Sequence, residues 1–527
     1  MTQLPKVCIL TAGKGTRMGA MSTYLNKALF QLNGRAIVSH IIEKFDGNTQ
    51  FVIALGYLGE QVVNYLEMAH PNSKFQYVEV DNFDNLGSGP GYSLLCCKSE
   101  LNQPFYMVSC DTIWQENDDI NQTSQNWLGV SKVKTDDTKN YCNLEISDDA
   151  VSNIKDKCTV SEENHSAFIG LAFIKDFKTF FSGLRNNVQV SGEHQVSNGL
   201  KSLIDQNKVK PVEFKWTDVG TEIHYTNAVK QFENFDFSKQ EEALYFVDRK
   251  VIKFFQDASI TANRVIRSNA NPSVFPKIDN VKDQFYSYRF VEGETLYARN
   301  NVDIFKKLIS FLDSQLWQKK KAPRDFKELC HKFYFEKTNA RLNKYHKKYP
   351  GTDVENMING VLVPSASTLL NHLDWSSLTH GVPVFFHGDL QFDNILYSER
   401  NKKFVLLDWR QDFAGNVEVG DLYYDLAKIY GGMILNYDLI KLNMFDYEEE
   451  NGQIYFDFVQ RKSKADFAAI LKDYVIGKNL DWNKVETLVG LIYLNMSPLH
   501  HFPFDKMLYS LGRSMLKTSV RNGTAHA

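Results

Sequence analysis

Cysteine is scarce and unpatterned. The 527 residues contain seven (Cys8, Cys96, Cys97, Cys110, Cys142, Cys158 and Cys330), an odd number, scattered, with no CxxC pair and no clustered histidine partners. That excludes a disulfide framework and a thiolate metal site, and leaves reduced, mostly buried thiols of a cytosolic protein. Charge of one sign is also missing. Sixty Lys and Arg stand against 63 Asp and Glu, a formal net charge of −3, so nothing in the balance attracts nucleic acid or an anionic membrane. No apolar run approaches the roughly 20 residues of a membrane span, and only "VCIL" precedes the first glycine-rich turn. Neither membrane insertion nor a leader is expected, and the cytoplasm is the expected location. The chain has no internal repeat, no Gly-Lys-Ser/Thr P-loop and no GxGxxG dinucleotide spacing. What it has is 43% hydrophobic residues and a length sufficient for two or more domains.

The chain reads as two halves. From Lys6 to about Ala228, short apolar runs alternate with helical patterns: "KVCILTA", "FVIALGY", "FQYVEV" and "PFYMVSC" as strands, and "AIVSHIIEKF", "GEQVVNYLEMA" and "SLLCCKSEL" as helices. Such alternation implies parallel strands joined by crossover helices, an α/β three-layer sandwich. The polar "ENFDFSKQEE" marks a boundary, giving an N-terminal domain over 1–233, a linker over 234–241 and a C-terminal domain over 242–527. There, "ALYFVDRKVIKFF" predicts two strands meeting in a turn at Asp248–Arg249, and "SYRFVEGETL" a strand running into a loop. Beyond Asp303 the pattern is mainly helical. A small sheet-rich lobe before a larger helical lobe is the bilobal layout of a kinase.

Two stretches carry chemistry. In "LTAGKGTRMG" a strand ends at Leu10, and Gly13 and Gly15 follow with Lys14 and Arg17 interspersed. Glycines let backbone N–H groups approach phosphate oxygens, and Arg17 can stabilise charge on departing pyrophosphate. Leu10, Ala12, Gly13, Lys14 and Gly15 thus make a nucleotide-phosphate cradle. Lys27 follows in "NKALFQLNG", Asp111 ends the strand of "VSCDTIW", and Asp218 sits in "KWTDVGT". Two carboxylates from separate strand ends can hold Mg²⁺ against a triphosphate. The bland reading of each is a turn or a helix cap.

The second stretch is "HGDLQFDNIL" followed by "FVLLDW". Asp389 on a loop can accept a hydroxyl proton, Asn394 can face a metal, and Asp408 can bridge Mg²⁺ to nucleotide phosphates, which is what phosphoryl transfer requires. Arg410 beside Asp408 can bind an anionic group on the acceptor, or form a structural ion pair. The pair His500–His501 invites a metal reading but lacks spaced partners, and reads as packing.

The N-terminal set, over about residues 5–230, resembles the nucleotidyltransferases that join a nucleoside triphosphate to a phosphorylated sugar or alcohol, Rossmann-like domains of GT-A type. The resemblance makes Gly13, Lys14, Gly15 and Arg17 the triphosphate grip, Lys27 a second phosphate contact, and Asp111 with Asp218 the metal ligands. It places Lys157 near the substrate phosphate, although Cys158 stands where the sugar enzymes have proline, and brings the loop from Gly87 to Gly91 close to base or substrate. The C-terminal set, over about residues 242–515, resembles the aminoglycoside phosphotransferase and choline kinase family. There Lys253 fits the strand lysine holding the α- and β-phosphates, and the backbone near Phe290 to Glu292 fits the hinge contacting adenine. Asp421 and Asp425 match carboxylates that cap and brace helices. The helix "ITANRVIRSN" lacks the glutamate expected to pair with the lysine, so Asn263 substitutes, the partner comes from elsewhere, or Lys253 is misassigned.

Together the resemblances imply ATP-dependent phosphorylation of a small hydroxyl compound, then condensation of the product with CTP, UTP or GTP, with Mg²⁺ at both steps. A sugar phosphorylated at its anomeric hydroxyl gives an NDP-sugar for a surface polysaccharide. Choline or an amino alcohol gives a CDP derivative. A third reading leaves one domain as a degenerate binding module. The expected partners are small molecules and nucleotides.

Overall fold

The computed structural model describes residues 4–524 apart from 116–117, 162, 164, 187, 191, 207–208 and 233–240. The expected linker therefore lies outside the described residues, except for Glu241. Contact density separates Met1–Glu233 with Gln240–Gln256 from a second unit running from Asp257 to Ala527.

In the first unit the predicted alternation is present: β1 (Lys6–Leu10), α1 (Ile37–Ile42), β2 (Gln50–Leu55), α2 (Gly59–Ala69), β3 (Lys74–Glu79), α3 (Pro90–Cys96) and β4 (Phe105–Ser109). These strands pair in the order β3-β2-β1-β4, all parallel. Val7, Cys8 and Ile9 of β1 are fully buried, because a central parallel strand is covered on both faces and so reads as a continuous apolar run. The sheet then continues antiparallel, apart from Lys210–Glu213, which pairs parallel with Trp127–Ser131. β5 (His165–Ile174) pairs with β4, and Trp127–Ser131, Cys142–Ser147, Ala150–Asp156 and Lys210–Glu213 extend it to nine strands. The strand order reverses between β1 and β4, and in open α/β sheets the crevice at such a point, outside the carboxyl ends of the strands, is where ligands bind.

The predicted strand pair is β6 (Glu242–Val247) and β7 (Lys250–Phe255), turning at Asp248 and Arg249. Both turn residues are left-handed, φ 45° and 58°, the geometry a two-residue hairpin needs to match strand twist. The sequence assigns this pair to the C-terminal half; contacts group it with the first unit. Buried Tyr245 donates its hydroxyl to the Leu29 carbonyl at 2.7 Å and packs edge-on to Tyr65. The Phe246 N–H bonds the Gly34 carbonyl at 2.7 Å.

The second unit opens with α4 (Ala258–Ala270), N-capped by Asp257, and the antiparallel strands β8 (Ile278–Lys282) and β9 (Phe285–Arg289). Its helical part includes α5 (Lys337–Lys348), then the hairpin β10 (Ile395–Ser398) and β11 (Lys403–Leu406), then α6 (Leu422–Ile434) and α7 (Trp482–Met496). Sequence periodicity does not foresee the four-stranded sheet that pairs Asn356–Ile358 and Val361–Val363 with Phe445–Glu450 and Gln453–Phe458. α6 is buried on nearly every side, Asp425 and Lys428 included, so its polar groups must find partners inside the protein.

Candidate active sites

The first site is built at the carboxyl ends of β1 and β4. Past β1, the Thr11 N–H and hydroxyl both bond the Ala54 carbonyl, at 3.1 and 2.7 Å, and the Tyr57 N–H bonds the Ala12 carbonyl at 2.9 Å. The side chains of Leu10 and Ala12 belong to the hydrophobic core, so only backbone is left to meet a nucleotide. Gly15 has φ +65°, and a Cβ there would sit 3.3 Å from Lys27 Cβ; its backbone conformation demands glycine. Gly13 differs. It is exposed, and a Cβ would meet nothing within 4 Å, so packing within the chain gives no reason for a glycine.

That contrast makes a prediction. Gly13→Ala should melt like the parent while raising the nucleoside triphosphate KM tenfold or more, whereas Gly15→Ala should lose about 1–2 kcal/mol to left-handed strain. Thermal melting and initial-rate kinetics separate them, and an unchanged KM in Gly13→Ala would remove the turn from the nucleotide site.

Lys27 is fixed by the residue before it. Fully buried Asn26 donates to the Thr11 and Tyr57 carbonyls, at 3.1 and 2.7 Å, and accepts from the Ala28 N–H at 2.9 Å. The buried Lys27 ammonium bonds Asp111 Oδ2 at 2.6 Å and the Gly220 carbonyl at 3.1 Å. Burial works to raise the Asp111 pKa, but Lys27, with a smaller contribution from Arg17, holds it below the ordinary carboxylate value. Asp218 arrives beside it. A Cβ on Gly220 would lie 2.8 Å from Asp218 Oδ1 and 3.1 Å from Asp111 Oδ2, which places both carboxylates over one glycine. Asp218 Oδ2 also accepts from the Tyr141 hydroxyl at 2.7 Å and meets His224 Nδ1 at 2.6 Å. Burial, then Asp218, pushes the Tyr141 phenol up, so it remains a hydrogen-bond donor.

Lys27, Asp111 and Asp218 are therefore brought together. Arg17 is exposed, and Lys14 is ion-paired with Asp84. Lys157 is left-handed and bonds Glu193 at 2.9 Å, while its N–H meets the Tyr141 carbonyl. The Gly87 N–H bonds the Gly192 carbonyl at 2.9 Å, and Gly89 and Gly91 abut the backbone of His194 and Gln195. Close backbone packing thus explains Gly89 and Gly91, and a left-handed φ of +81° explains Gly87. Tyr141, His224 and Gly220 are the residues that sequence reasoning misses. Only the short interval from Asp218 to His224 hints at one of them.

The second site hangs on a buried histidine. His387 Nδ1 accepts from the Asp389 N–H at 3.0 Å, so Nε2 is the ring donor, bonding the Leu407 carbonyl at 2.9 Å. Asp425 accepts from the N–H groups of His387 and Gly388, both at 2.7 Å, and from the Trp317 indole at 3.0 Å. Asp421 caps α6. Both carboxylates brace the fold, in keeping with the sequence reading. Gly388, at φ +89°, has no space for a side chain, since a Cβ would lie 2.6 Å from Arg410 Cβ.

This brace holds Asp389 against Lys428, whose ammonium lies 2.8 Å from Asp389 Oδ1. Asn394 donates its amide to the Asp389 carbonyl at 2.9 Å, leaving its own carbonyl oxygen as what it can offer a cation. Asp408, left-handed at φ 55°, pairs with Arg264 of α4 at 2.5 Å. Arg264 and Arg267 of that helix bond Asp408 and the Arg410 carbonyl, while Asn263 is half-buried. Asp389, Asn394 and Asp408 line one cavity of about 310 Å³. Lys253 is buried on β7, in register with Leu244. Phe290 and Glu292 are exposed between β9 and the strand Glu294–Thr295, which pairs with β10. Lys428 and Arg264 are missed because a single Lys or Arg in a helical pattern reads as solvated surface.

Among the described residues no group of three or more His, Cys, Asp or Glu side chains could hold a metal. The pairs Asp111 with Asp218 and Asn394 with Asp408 suit Mg²⁺, an ion that takes one or two carboxylates and fills its shell with water and phosphate oxygens.

Burial pushes the His387 pKa down to about 3. A histidine depressed in the folded state contributes stability that is present above its unfolded pKa near 6.5 and is lost as pH falls toward 3. The second unit should therefore lose about 2 kcal/mol between pH 6.5 and pH 5. His387→Gln should flatten that slope in denaturant titrations; an unchanged slope would assign it to other groups.

Fold and sites together define a chain with two transferase domains. Residues 7–135 match the MobA-like NTP transferase domain, and residues 237–446 match the phosphotransferase enzyme family. The chain is an N-terminal MobA-like nucleotidyltransferase domain joined to a C-terminal phosphotransferase-family domain. Among curated relatives, the bifunctional protein GlmU of Methanococcus maripaludis is 28% identical over 267 residues, covering 50% of this chain and 60% of its own length. A probable glucose-1-phosphate cytidylyltransferase of Bacillus subtilis is 37% identical over 62 residues, 11% of this chain and 24% of that one. The choline-phosphate cytidylyltransferase of Streptococcus pneumoniae is 34% identical over 119 residues, 21% and 47% respectively. A solved UDP-glucose pyrophosphorylase from Acinetobacter baumannii superposes on 44% of this chain and 93% of its own, at 16% identity and TM-score 0.37.

Proposed function

We propose that this chain is a bifunctional enzyme that phosphorylates a small hydroxyl compound with ATP and then transfers a nucleotidyl group to the product. The observation that carries this reading is the second cavity, where Asp389, Asn394 and Asp408 converge in a volume suited to a small molecule. In the first reaction Asp389 accepts the acceptor's hydroxyl proton as its oxygen bonds the γ-phosphorus and the bond to ADP breaks. Mg²⁺ held by Asn394 and Asp408 would neutralise phosphate charge. In the second, a phosphate oxygen of that product attacks the α-phosphorus of a nucleoside triphosphate and pyrophosphate leaves, with Lys27 and Arg17 balancing the charge and Asp111 with Asp218 as metal ligands. Covalent linkage keeps the second enzyme near the first enzyme's product.

The reading favoured for the acceptor is a sugar, supported by the relative named for glucose 1-phosphate; the product would be an NDP-sugar for a surface glycan. The choline-phosphate relative supports an amino alcohol as the alternative. Both of these relatives are named as cytidylyltransferases, so CTP is the first of CTP, UTP and GTP to test. Mass spectrometry of reactions with ATP, Mg²⁺, each second triphosphate and a panel of sugars and amino alcohols is the test. A nucleotide-linked product that needs both triphosphates and disappears with EDTA is expected. A phosphorylated acceptor with no nucleotidyl product under any triphosphate would reduce the enzyme to its kinase half.

A further inference from the structure

The walls of the second cavity are not neutral. Five basic side chains line it, Lys337, Arg341, Arg410, Lys428 and Lys441, against three carboxylates, Asp389, Asp393 and Asp408. Two of those carboxylates are engaged in ion pairs: Asp389 with Lys428 at 2.8 Å, and Asp408 with Arg264. Lys337 and Arg341 stand one turn apart on α5, a spacing at which like charges repel. The Lys337 ammonium lies 4.1 Å from the Phe333 ring centre and the Arg410 guanidinium 5.0 Å from the same ring. One buried aromatic ring thus meets two basic side chains. Burial first, then repulsion from Arg410, Lys428 and Arg341, presses the Lys337 pKa well below its ordinary value; a bound anion would relieve the repulsion.

We infer that the acceptor carries an acidic group, a carboxylate or a phosphate, and that Lys337, Arg341, Arg410 and Lys441 form the subsite that receives it. The inference rests on the kinase reading and names its substrate class. Guanidinium forks match carboxylate and phosphate oxygens two at a time. A quaternary ammonium would need an acidic or aromatic cage, whereas here basic side chains outnumber carboxylates five to three. Lys337, Arg341 and Lys441 stand on helices, whereas the phosphate-handling Asn394 and Asp408 flank the β10–β11 hairpin. The reaction keeps its balance: the acceptor's hydroxyl oxygen bonds the γ-phosphorus, the bond to ADP breaks, Asp389 takes the proton, and the acidic group only positions the molecule.

The test uses the full chain with ATP and Mg²⁺ and the compounds D-glucose, D-glucuronate, glucose 6-phosphate, glycerol, glycerate, glycerol 3-phosphate and choline. ADP release gives kcat/KM, and calorimetry with a non-hydrolysable ATP analogue gives binding. At least one acid should exceed its neutral counterpart a hundredfold, and the carboxylate and phosphate arms identify the group. Arg341→Ala and Lys441→Ala should raise the acid's KM tenfold or more and the ATP KM less than twofold, with Arg341→Lys recovering part of the loss. If either alanine variant melts early, Arg341→Lys and Lys441→Gln carry the comparison. Phosphorylation of glucose, glycerol or choline in preference to every acid overturns the inference and leaves the kinase reading standing. Acid binding that the variants weaken, with no ADP formed from any compound, upholds the subsite and overturns the kinase. Variants that raise only the ATP KM, or no binding of any acid, also overturn the inference.

Discussion

Asp389→Asn should lower ATP-dependent phosphorylation by roughly 10²–10⁴-fold, the range a positioned general base contributes, and leave nucleotidyl transfer to a supplied phosphorylated substrate unchanged. The asparagine keeps the shape of the loop. Its N–H can still reach His387 Nδ1, and its carbonyl can still receive the Asn394 amide. What is lost is the negative oxygen 2.8 Å from Lys428, and with it the acceptor for the hydroxyl proton. Lys428→Met tests the same pair from the other side and should lower the rate with little cost in stability, because Asp389 is about one-third exposed and water can solvate the carboxylate left behind. ADP release measures the first effect and denaturant unfolding the second. If Asp389→Asn stayed folded and both activities fell together, the two reactions would not have separate sites.

Asp111→Asn should have the mirror effect, abolishing nucleotidyl transfer with kinase activity intact. Asp111 takes the Lys27 ammonium at 2.6 Å and shares the space over Gly220 with Asp218, so the substitution removes one of the two carboxylates there and leaves Lys27 buried beside a neutral amide. A drop of two or more orders in pyrophosphate release is the expected reading, since preorganised charge at a transferring phosphoryl group supplies several kcal/mol. Titrating Mg²⁺ separates the roles. If Asp111 holds the ion, the variant's residual rate should rise with Mg²⁺ well beyond the parent's saturation. A residual rate insensitive to Mg²⁺ would make Asp111 a partner of Lys27 only.

Much of this architecture is local enough to read in sequence. Continuous apolar runs announce β1, β2 and β4 because buried parallel strands have no wet face. The turn at Asp248–Arg249 can be seen because a short polar break between two apolar runs forces the chain back. The spacing of Asp389, Asn394 and Asp408 can be read because one loop and one hairpin carry all three. The strands added beyond β4 are less legible: most of them pair across long separations, and their irregular patterns suit several registers. Contacts also place β6 and β7 with the first unit, through Tyr245 and Phe246, residues that by themselves look like ordinary strand aromatics.

Sequence alone therefore determined the two kinds of domain and the order in which they occur, and it supplied the motif proposed to handle phosphate in each, because those depend on spacings of a few residues along one backbone. Only the tertiary structure decided which charges meet. Lys27 reaches the carbonyl of Gly220, 193 positions away, and Asp111, 84 positions away; Arg264 finds Asp408 across 144. The cations of the second cavity come from separate helices and loops. Electrostatic attraction and repulsion act through space at a few ångströms, and which side chains come that close is settled by packing and not by neighbourhood in the chain.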